Sequence, residues 1–308
     1  RPDEGRLAPA APFDPEAAHA AADVDGGAEW ETMPIDVVYR PRRTGFRDSK
    51  AAELEPGTVL AGQYRVVKIL GEATFARAVC CEDLHHPTEA HDGEEQYHLV
   101  CLKVINNSKE FFDQSLDEIR NLRYIAAGAE RRYAEWTRLV DQQAQHAANG
   151  TATPPDDATI EAARQIAQWP SGVDAARVIS FHKAFYFNEH MCIVCDLLKS
   201  NLYEHGRALR REGLEPYFTL PRVQSIAQQV TEALALVHGL GMVHNDLKPE
   251  NILFESVSQC RVRVIDFGSS CFVGDKLSSY VQSRSYRAPE VFLGAGYDGR
   301  IDVWSLGA

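Results

Sequence analysis

The sequence predicts an α+β protein in two parts, a small antiparallel-sheet part first and a mainly helical part second. Three observations lead there. Three short runs rich in β-branched and aromatic residues, Tyr64 to Leu70, Arg77 to Leu84 and Tyr97 to Ile105, follow closely enough to pair as neighbouring antiparallel strands. Directly after them, Phe112, Leu116, Ile119, Leu122 and Ile125 recur at the three-and-four spacing of a helix with one apolar face. Later, Pro221 to Leu240 carries a sustained helical pattern.

Residues 1–34, rich in Ala, Pro and Asp and without hydrophobic periodicity, are expected to be a disordered tail. Residues 35–63 form a leading segment, in which an extended apolar patch runs into the basic turn Arg40-Pro41-Arg42-Arg43. That turn reads as a solvated loop or as a localisation or partner signal, and is too short to choose between nucleus and cytoplasm. The sheet part spans residues 64–198. Within it, the acidic stretch His85 to Gln96 is expected as a long polar connection, its His85, His86, Glu89 and His91 solvated rather than bound to metal. The helix Phe111 to Ala127 should pack on the sheet. Residues 128–175 are Ala- and Gln-rich and read as an insertion, with helices over Glu130 to Ala148 and Thr159 to Trp169 split by Thr153-Pro154-Pro155-Asp156-Asp157. Strand character returns at Val178 to Phe187 and Met191 to Leu198, around the polar turn Asn188-Glu189-His190. Residues 199–308 make the helical part.

A length of 308 residues allows one large domain or two small ones. Hydrophobic residues at 44%, charged residues at 25% and aromatics at 9% exclude collagen-like, fully disordered and membrane-embedded classes. No apolar run approaches the roughly 20 residues of a spanning helix. Lys and Arg total 32 against 44 Asp and Glu, a net charge of −12, which argues against a general affinity for nucleic acid or a membrane surface. A bound phosphate must therefore be held by local charges. Seven cysteines are sparse for a secreted scaffold, and Cys80 and Cys81 are adjacent, so an intracellular chain with reduced thiols is expected. Cys192 and Cys195 have C-x-x-C spacing but lie in a strand, where they point to opposite faces, which disfavours a shared metal. The chain begins at Arg1 without an apolar leader and is expected to be a piece of a longer polypeptide.

The chemistry concentrates in His244-Asn245-Asp246-Leu247-Lys248-Pro249-Glu250-Asn251, then Asp266-Phe267-Gly268, then Ala288-Pro289-Glu290. These resemble, in order and separation, the catalytic loop, the metal-binding Asp-Phe-Gly and the Ala-Pro-Glu of eukaryotic protein kinases. The resemblance implies a two-lobed kinase domain that binds ATP and Mg2+ and acts on protein substrates. A substrate hydroxyl must lose its proton as it attacks a γ-phosphoryl group, and Asp246 is placed as the base that accepts it. Lys248 would offset charge developing on the transferred group. Magnesium prefers hard oxygen ligands, which Asp266 and the amide oxygen of Asn251 supply.

Val100-Cys101-Leu102-Lys103 resembles the third-strand Val-Ala-x-Lys, which implies that Lys103 holds the α- and β-phosphates and pairs with Glu118 in the following helix. By the same alignment Cys195 takes the gatekeeper position and Asp196 to Leu198 the hinge, whose main chain would meet adenine; Leu253 joins the cofactor-binding set. The phosphate loop departs from the family's glycine pattern, reading Gly71-Glu72-Ala73-Thr74-Phe75-Ala76. With Ala73 and Ala76 the cradle is expected to be looser, weakening nucleotide binding by about 1 kcal/mol.

Ser269-Ser270-Cys271-Phe272, Ser200-Asn201-Leu202-Tyr203 and the run from Tyr280 to Glu290 resemble the dual-specificity tyrosine-regulated kinases (DYRK) of the CMGC group. Phe111 to Glu118, Arg43-Thr44-Gly45-Phe46 and the alanine-substituted loop look like its plant-type and algal branch. The family autophosphorylates an activation-loop tyrosine, matched by Tyr280, while modifying substrates on Ser or Thr; its usual Tyr-x-Tyr pair is reduced here to Ser278-x-Tyr280. Arg284 and Arg287 are suitably near to order a phosphorylated loop. Asn245 replaces the arginine of the common His-Arg-Asp, which makes control by a second kinase less expected. Asp302 should brace the catalytic loop. The chain stops at Ala308, inside the helix that Asp302 opens, so the helical lobe is expected to be truncated and the fragment a poor enzyme. The rival reading is a pseudokinase or scaffold, motivated by Ala73, Ala76 and Asn245.

Overall fold

The computed structural model describes residues 32–42, 52–91, 94–148, 172–275 and 280–308. The chain divides into two units, Arg1–Asp36 and Val37–Ala308. Only residues 32–36 of the first unit are described, and the architecture below is that of the second. The expected helix Thr159 to Trp169, the Arg43-Thr44-Gly45-Phe46 segment and Ser278 lie outside the described residues.

The sheet part comes first, as its alternating runs predict. After β1 (Asp36–Val38), which straddles the unit boundary, come β2 (Val59–Leu60), β3 (Tyr64–Glu72), β4 (Ala76–His91) and β5 (Glu94–Ile105), then β6 (Phe181–Phe187) and β7 (His190–Asp196). Within the second unit the main sheet runs β6-β7-β5-β4-β3-β2, and all these pairings are antiparallel. One face buries Leu54, Leu60, Tyr64, Val66, Val79, Cys81, Val100, Leu102, Val104, Phe185, Cys192 and Val194. Strand alternation then turns Cys101, Lys103 and Cys195 to the opposite face. All seven cysteines are free thiols.

The stretch His85 to Gln96 is not the long connection expected of it. β4 and β5 continue into it as one extended hairpin, pairing Pro87 with Tyr97, Thr88 with Gln96 and His91 with Glu94. Period-2 hydrophobicity is missing because residues 85–88 are exposed, while backbone pairing needs no apolar face. Register shifts between Asp83 and Pro87 and between Thr88 and His91 accommodate the proline. Asp83 closes the base of this extension. It accepts hydrogen bonds from Gln63 Nε2 (2.7 Å) and the His85 N–H (3.1 Å) and pairs with His86 Nδ1 (2.8 Å). Burial alone would raise the Asp83 carboxyl, but these partners outweigh it and hold it below the ordinary aspartate value. A depressed folded-state value means stabilisation that is present above the ordinary value and lost as the pH falls through the folded one. Asp83→Asn should therefore flatten the fall in melting temperature below about pH 4, read by thermal unfolding across the acid range.

Between β5 and β6 runs α1 (Lys109–Ala148), 40 residues and about 60 Å long. Sequence reading broke this helix near residue 128, where the Ala-rich segment begins, and the structure carries it through. Gly128 inside a helix costs about 1 kcal/mol. Here it allows close packing, since a Cβ at Gly128 would come 2.6 Å from the Leu240 side chain. The short α2 (Gly172–Ala175) packs against α1 at Ala129.

The helical part opens with α3 (Leu202–Glu212), N-capped by Asn201, whose side chain accepts from Glu204 N–H at 2.7 Å, and ended by Gly213 in the left-handed region at φ 64°. α4 (Leu220–Gly239) has a proline in its first turn and buries Ile226, Val230, Ala233, Leu234 and Val237. Then follow β8 (Met242–Val243), β9 (Ile252–Ser256), β10 (Arg261–Val264), β11 (Cys271–Phe272), α5 (Pro289–Phe292) and α6 (Arg300–Gly307). β9 pairs with β10 and β8 with β11, both antiparallel, so the connections between them are held on short rigid ribbons. Among the described residues no helix is long and apolar enough to cross a membrane.

Candidate functional site

Lys103, on the face of β5 opposite the core, reaches α1. Its Nζ donates to both carboxylate oxygens of Glu118, at 2.6 and 2.8 Å, and stands 3.6 Å from Asp266 Oδ1. Burial alone would lower the Lys103 ammonium; Glu118 and Asp266 outweigh it and hold it above its ordinary value. Burial pushes the Glu118 carboxyl up against the pull of Lys103. Asp266 goes the other way. Lys103, His244 and Lys248 overcome its burial and hold it below the usual aspartate value, so it presents a carboxylate. Asp266 has φ 66°, the left-handed region that a short polar side chain tolerates.

The segment after β8 is the catalytic-loop candidate. Asp302, fully buried in the first turn of α6, accepts from the backbone N–H of His244 (2.8 Å) and of Asn245 (3.0 Å), and its Oδ2 lies 2.9 Å from His238 Nε2. This is the brace expected of Asp302. It stabilises Asn245 at φ 68°, and the Asn245 amide donates to the Ser269 carbonyl at 3.0 Å, tying the loop to the segment after Gly268. The Asp246 carboxylate then receives Lys248 Nζ at 2.6 Å, Asn251 Nδ2 at 3.2 Å and Ser283 Oγ at 2.8 Å. Asn251 Nδ2 also donates to the Asp246 carbonyl at 2.8 Å, which orients its amide oxygen away from Asp246.

The expected hinge follows β7. Asp196 ends that strand with its side chain held by His182 Nε2 (2.8 Å) and facing Arg263 (3.8 Å), while Leu198 is half-buried two residues on. Leu253 on β9 bridges back to Asn201. Cys101 and Cys195 are register partners on the Lys103 face. Burial raises the Cys101 thiol to about 11 and the Cys195 thiol further, so both are neutral lining groups at pH 7.

The loop carrying Ala73 and Ala76 is tied rather than loose. Gly71 lies within β3, and none of residues 71–76 takes a positive φ. Ala73 N–H donates to the Ala76 carbonyl at 2.8 Å, Ala76 is buried opposite Ile105, and the Phe75 ring lies 5.0 Å from Lys103 Nζ. Alanine is compatible with the backbone here because no glycine-only conformation is used.

Tyr280 is 76% exposed, with the Arg287 guanidinium 4.2 Å from its ring centre. Arg287, with Arg284 adding its charge, holds the phenol below its ordinary value. Arg287 is itself anchored on the carbonyls of Val281 and Gln282, each at 2.8 Å.

Three residues of the site escaped sequence reasoning. Ser283 both donates to Asp246 and accepts from Lys248 at 3.2 Å. Gln282, buried at φ 64°, donates to Ile301 O and Ser305 Oγ and accepts from Ala288 N–H, fastening the segment to α6. Asn121 donates to the carbonyls of Phe267 and Ser270, both at 3.0 Å, joining α1 to the Asp-Phe-Gly segment. Asn121 had a signal: a polar residue on the stripe shared by Glu118, Leu122 and Ile125 is out of place unless it has a partner.

A family model described as protein kinase domain matches residues 155–308. The chain is 34% identical over 264 residues to the DYRK-family kinase pom1 of Schizosaccharomyces pombe, covering 85% of this chain and 19% of that protein. It is 32% identical over 272 residues to human dual specificity tyrosine-phosphorylation-regulated kinase 3, covering 88% and 37%. It is 31% identical over 248 residues to the probable serine/threonine-protein kinase dyrk2 of Dictyostelium discoideum, covering 80% and 21%. The chain thus spans less than two fifths of the length of these relatives. In structure it is similar to a crystal structure of a kinase domain, with a TM-score of 0.61 at 22% identity over 84% of this chain and 66% of the other, a likeness of fold.

Proposed function

Because the chain belongs to the protein kinase domain family, we propose that it transfers the γ-phosphoryl group of ATP to serine and threonine hydroxyls of protein substrates and phosphorylates its own Tyr280. The DYRK-family relatives support a place in the CMGC group. The plant-type or algal branch, an intracellular site of action and a monomeric catalytic domain complete the reading. What carries it is the convergence on one cleft of Lys103 paired with Glu118, the Asp266 carboxylate, and Asp246 held by Lys248 and Asn251.

These residues fit ATP with Mg2+. The Asn251 nitrogen is committed to Asp246, which leaves its oxygen, with the Asp266 carboxylate, as a hard donor set. Bound Mg2+ supplies charge neutralisation on the phosphate oxygens. Lys103, kept charged and kept in place by Glu118, holds the phosphates. Asp246 accepts the proton of the attacking hydroxyl, in the position where Ser283 Oγ now donates to it, and Lys248 offsets the charge that develops on the transferred group. Asp196 and Leu198 meet adenine through main chain, with Leu253 and the neutral thiols of Cys101 and Cys195 as lining.

Phosphosite mass spectrometry on the full-length protein, made beside Asp246→Asn in a host without related kinases, tests this. Phosphate on Tyr280 in the parent alone is the expected result. No phosphate on either protein, even after added Mg-ATP, would replace the kinase reading with that of a scaffold.

A further inference from the structure

The loop between β3 and β4 lacks the family's glycines yet is well held, and a single residue outside it does most of the holding. Asn106 directly follows β5, on the far side of β4 from β3. Its backbone N–H donates to the Phe75 carbonyl at 2.9 Å, and its side-chain Nδ2 donates to the Thr74 carbonyl at 2.8 Å. Two successive carbonyls at the tip are thereby turned toward Asn106. In a trans peptide the N–H points opposite to the carbonyl of the same plane, so the N–H groups of Phe75 and Ala76 are directed away from Asn106. On the other side of the loop, Ala73 N–H closes onto the Ala76 carbonyl at 2.8 Å. Phe75 sits between these anchors with its ring over the Lys103 ammonium, at a distance of 5.0 Å.

We propose that Asn106 is a positioning residue for nucleotide binding: it fixes the Thr74 and Phe75 peptide planes, and so the donors and ring that the loop presents beside Lys103. The inference rests on reading the cleft as an ATP site. A glycine-rich loop reaches phosphate by adopting conformations closed to other residues. This loop keeps ordinary conformations and takes its orientation from an external tether, which is why alanines at positions 73 and 76 are compatible with it. The neighbouring Asn107 supplies a contrast, its amide donating instead to Glu189 Oε2 at 2.7 Å in the β6–β7 turn.

The test uses the full-length protein with Asn106→Ala, Asn106→Asp and Asn107→Ala. Asn106→Asp keeps size and shape but has no side-chain N–H, so its oxygen would face the Thr74 carbonyl. Calorimetric titration with Mg-ATP should show Kd raised about three- to tenfold in both Asn106 variants, the loss expected for one hydrogen bond. KM for ATP should follow, with kcat within about twofold of the parent, since the tether acts on binding rather than on the transfer step. Hydrogen exchange should quicken in residues 71–76 and not elsewhere, and Asn107→Ala should match the parent. If the parent binds Mg-ATP and both Asn106 variants bind it equally well, or Asn107→Ala weakens binding as much, the tether is wrong. If the parent itself binds no nucleotide, the ATP reading of the cleft fails, and the proposal with it.

Discussion

Asp246→Asn should lower kcat for phosphoryl transfer about 10²- to 10⁴-fold while leaving the fold and the affinity for Mg-ATP nearly unchanged. The geometry says why the fold survives. The carboxylate receives Ser283 Oγ on Oδ1, and Lys248 Nζ and Asn251 Nδ2 on Oδ2. An asparagine can keep its oxygen toward Lys248 and Asn251 and turn its NH2 to Ser283, whose hydroxyl also accepts. Every hydrogen bond can then be kept, while the charge that pairs with Lys248 and the ability to take a proton are lost. Steady-state kinetics on a protein or peptide substrate, with a parallel thermal scan, separates the two effects. A variant that retains more than about a tenth of the parent kcat would remove Asp246 from the role of base.

Asp302→Ala should carry the largest cost to stability. Asp302 is fully buried and takes the backbone N–H groups of His244 and Asn245 beside the His238 ring. Truncation strands these donors in a site closed to water, at about 1–3 kcal/mol each, for a total of about 3–5 kcal/mol. Asp302→Asn retains one acceptor and should cost roughly half as much. Chemical denaturation of both variants measures this. The damage should extend to activity, because the two N–H groups belong to residues immediately before Asp246, and Asn245 holds φ 68° only while they are bound. A loss under about 1 kcal/mol for the alanine variant would mean that another group supports the loop.

Both predictions start from motifs that were legible in the sequence. Asp246, Lys248, Asn251 and Asp266 stand in a fixed order with chemistry that a solvated surface does not need, and the structure brings them close, Lys248 and Asn251 on Asp246 and the Lys248 charge acting on Asp266. The pairing of Lys103 with Glu118 was also legible, as what the resemblance of Val100-Cys101-Leu102-Lys103 to the family's third strand implies. Errors fell where a local pattern is silent about a distant neighbour. The Ala- and Gln-rich segment from residue 128 read as an insertion, yet α1 runs unbroken into it to Ala148, with Gly128 packed close to Leu240. The polar stretch after Asp83 read as a connection, yet it pairs as a hairpin through backbone alone.

The sequence by itself determined the α+β class and the order of sheet before helices, since periodicity is a local property, and its resemblance to protein kinases pointed to the candidate site residues. Only the tertiary structure decided what holds those residues in place. Ser283 on Asp246, Gln282 against α6, Asn121 on the Phe267 and Ser270 carbonyls, and Asn106 on the β3–β4 loop are all hydrogen bonds between segments. A polar side chain looks alike in sequence whether it faces water or a carbonyl many residues away, and folding alone brings the second group to it.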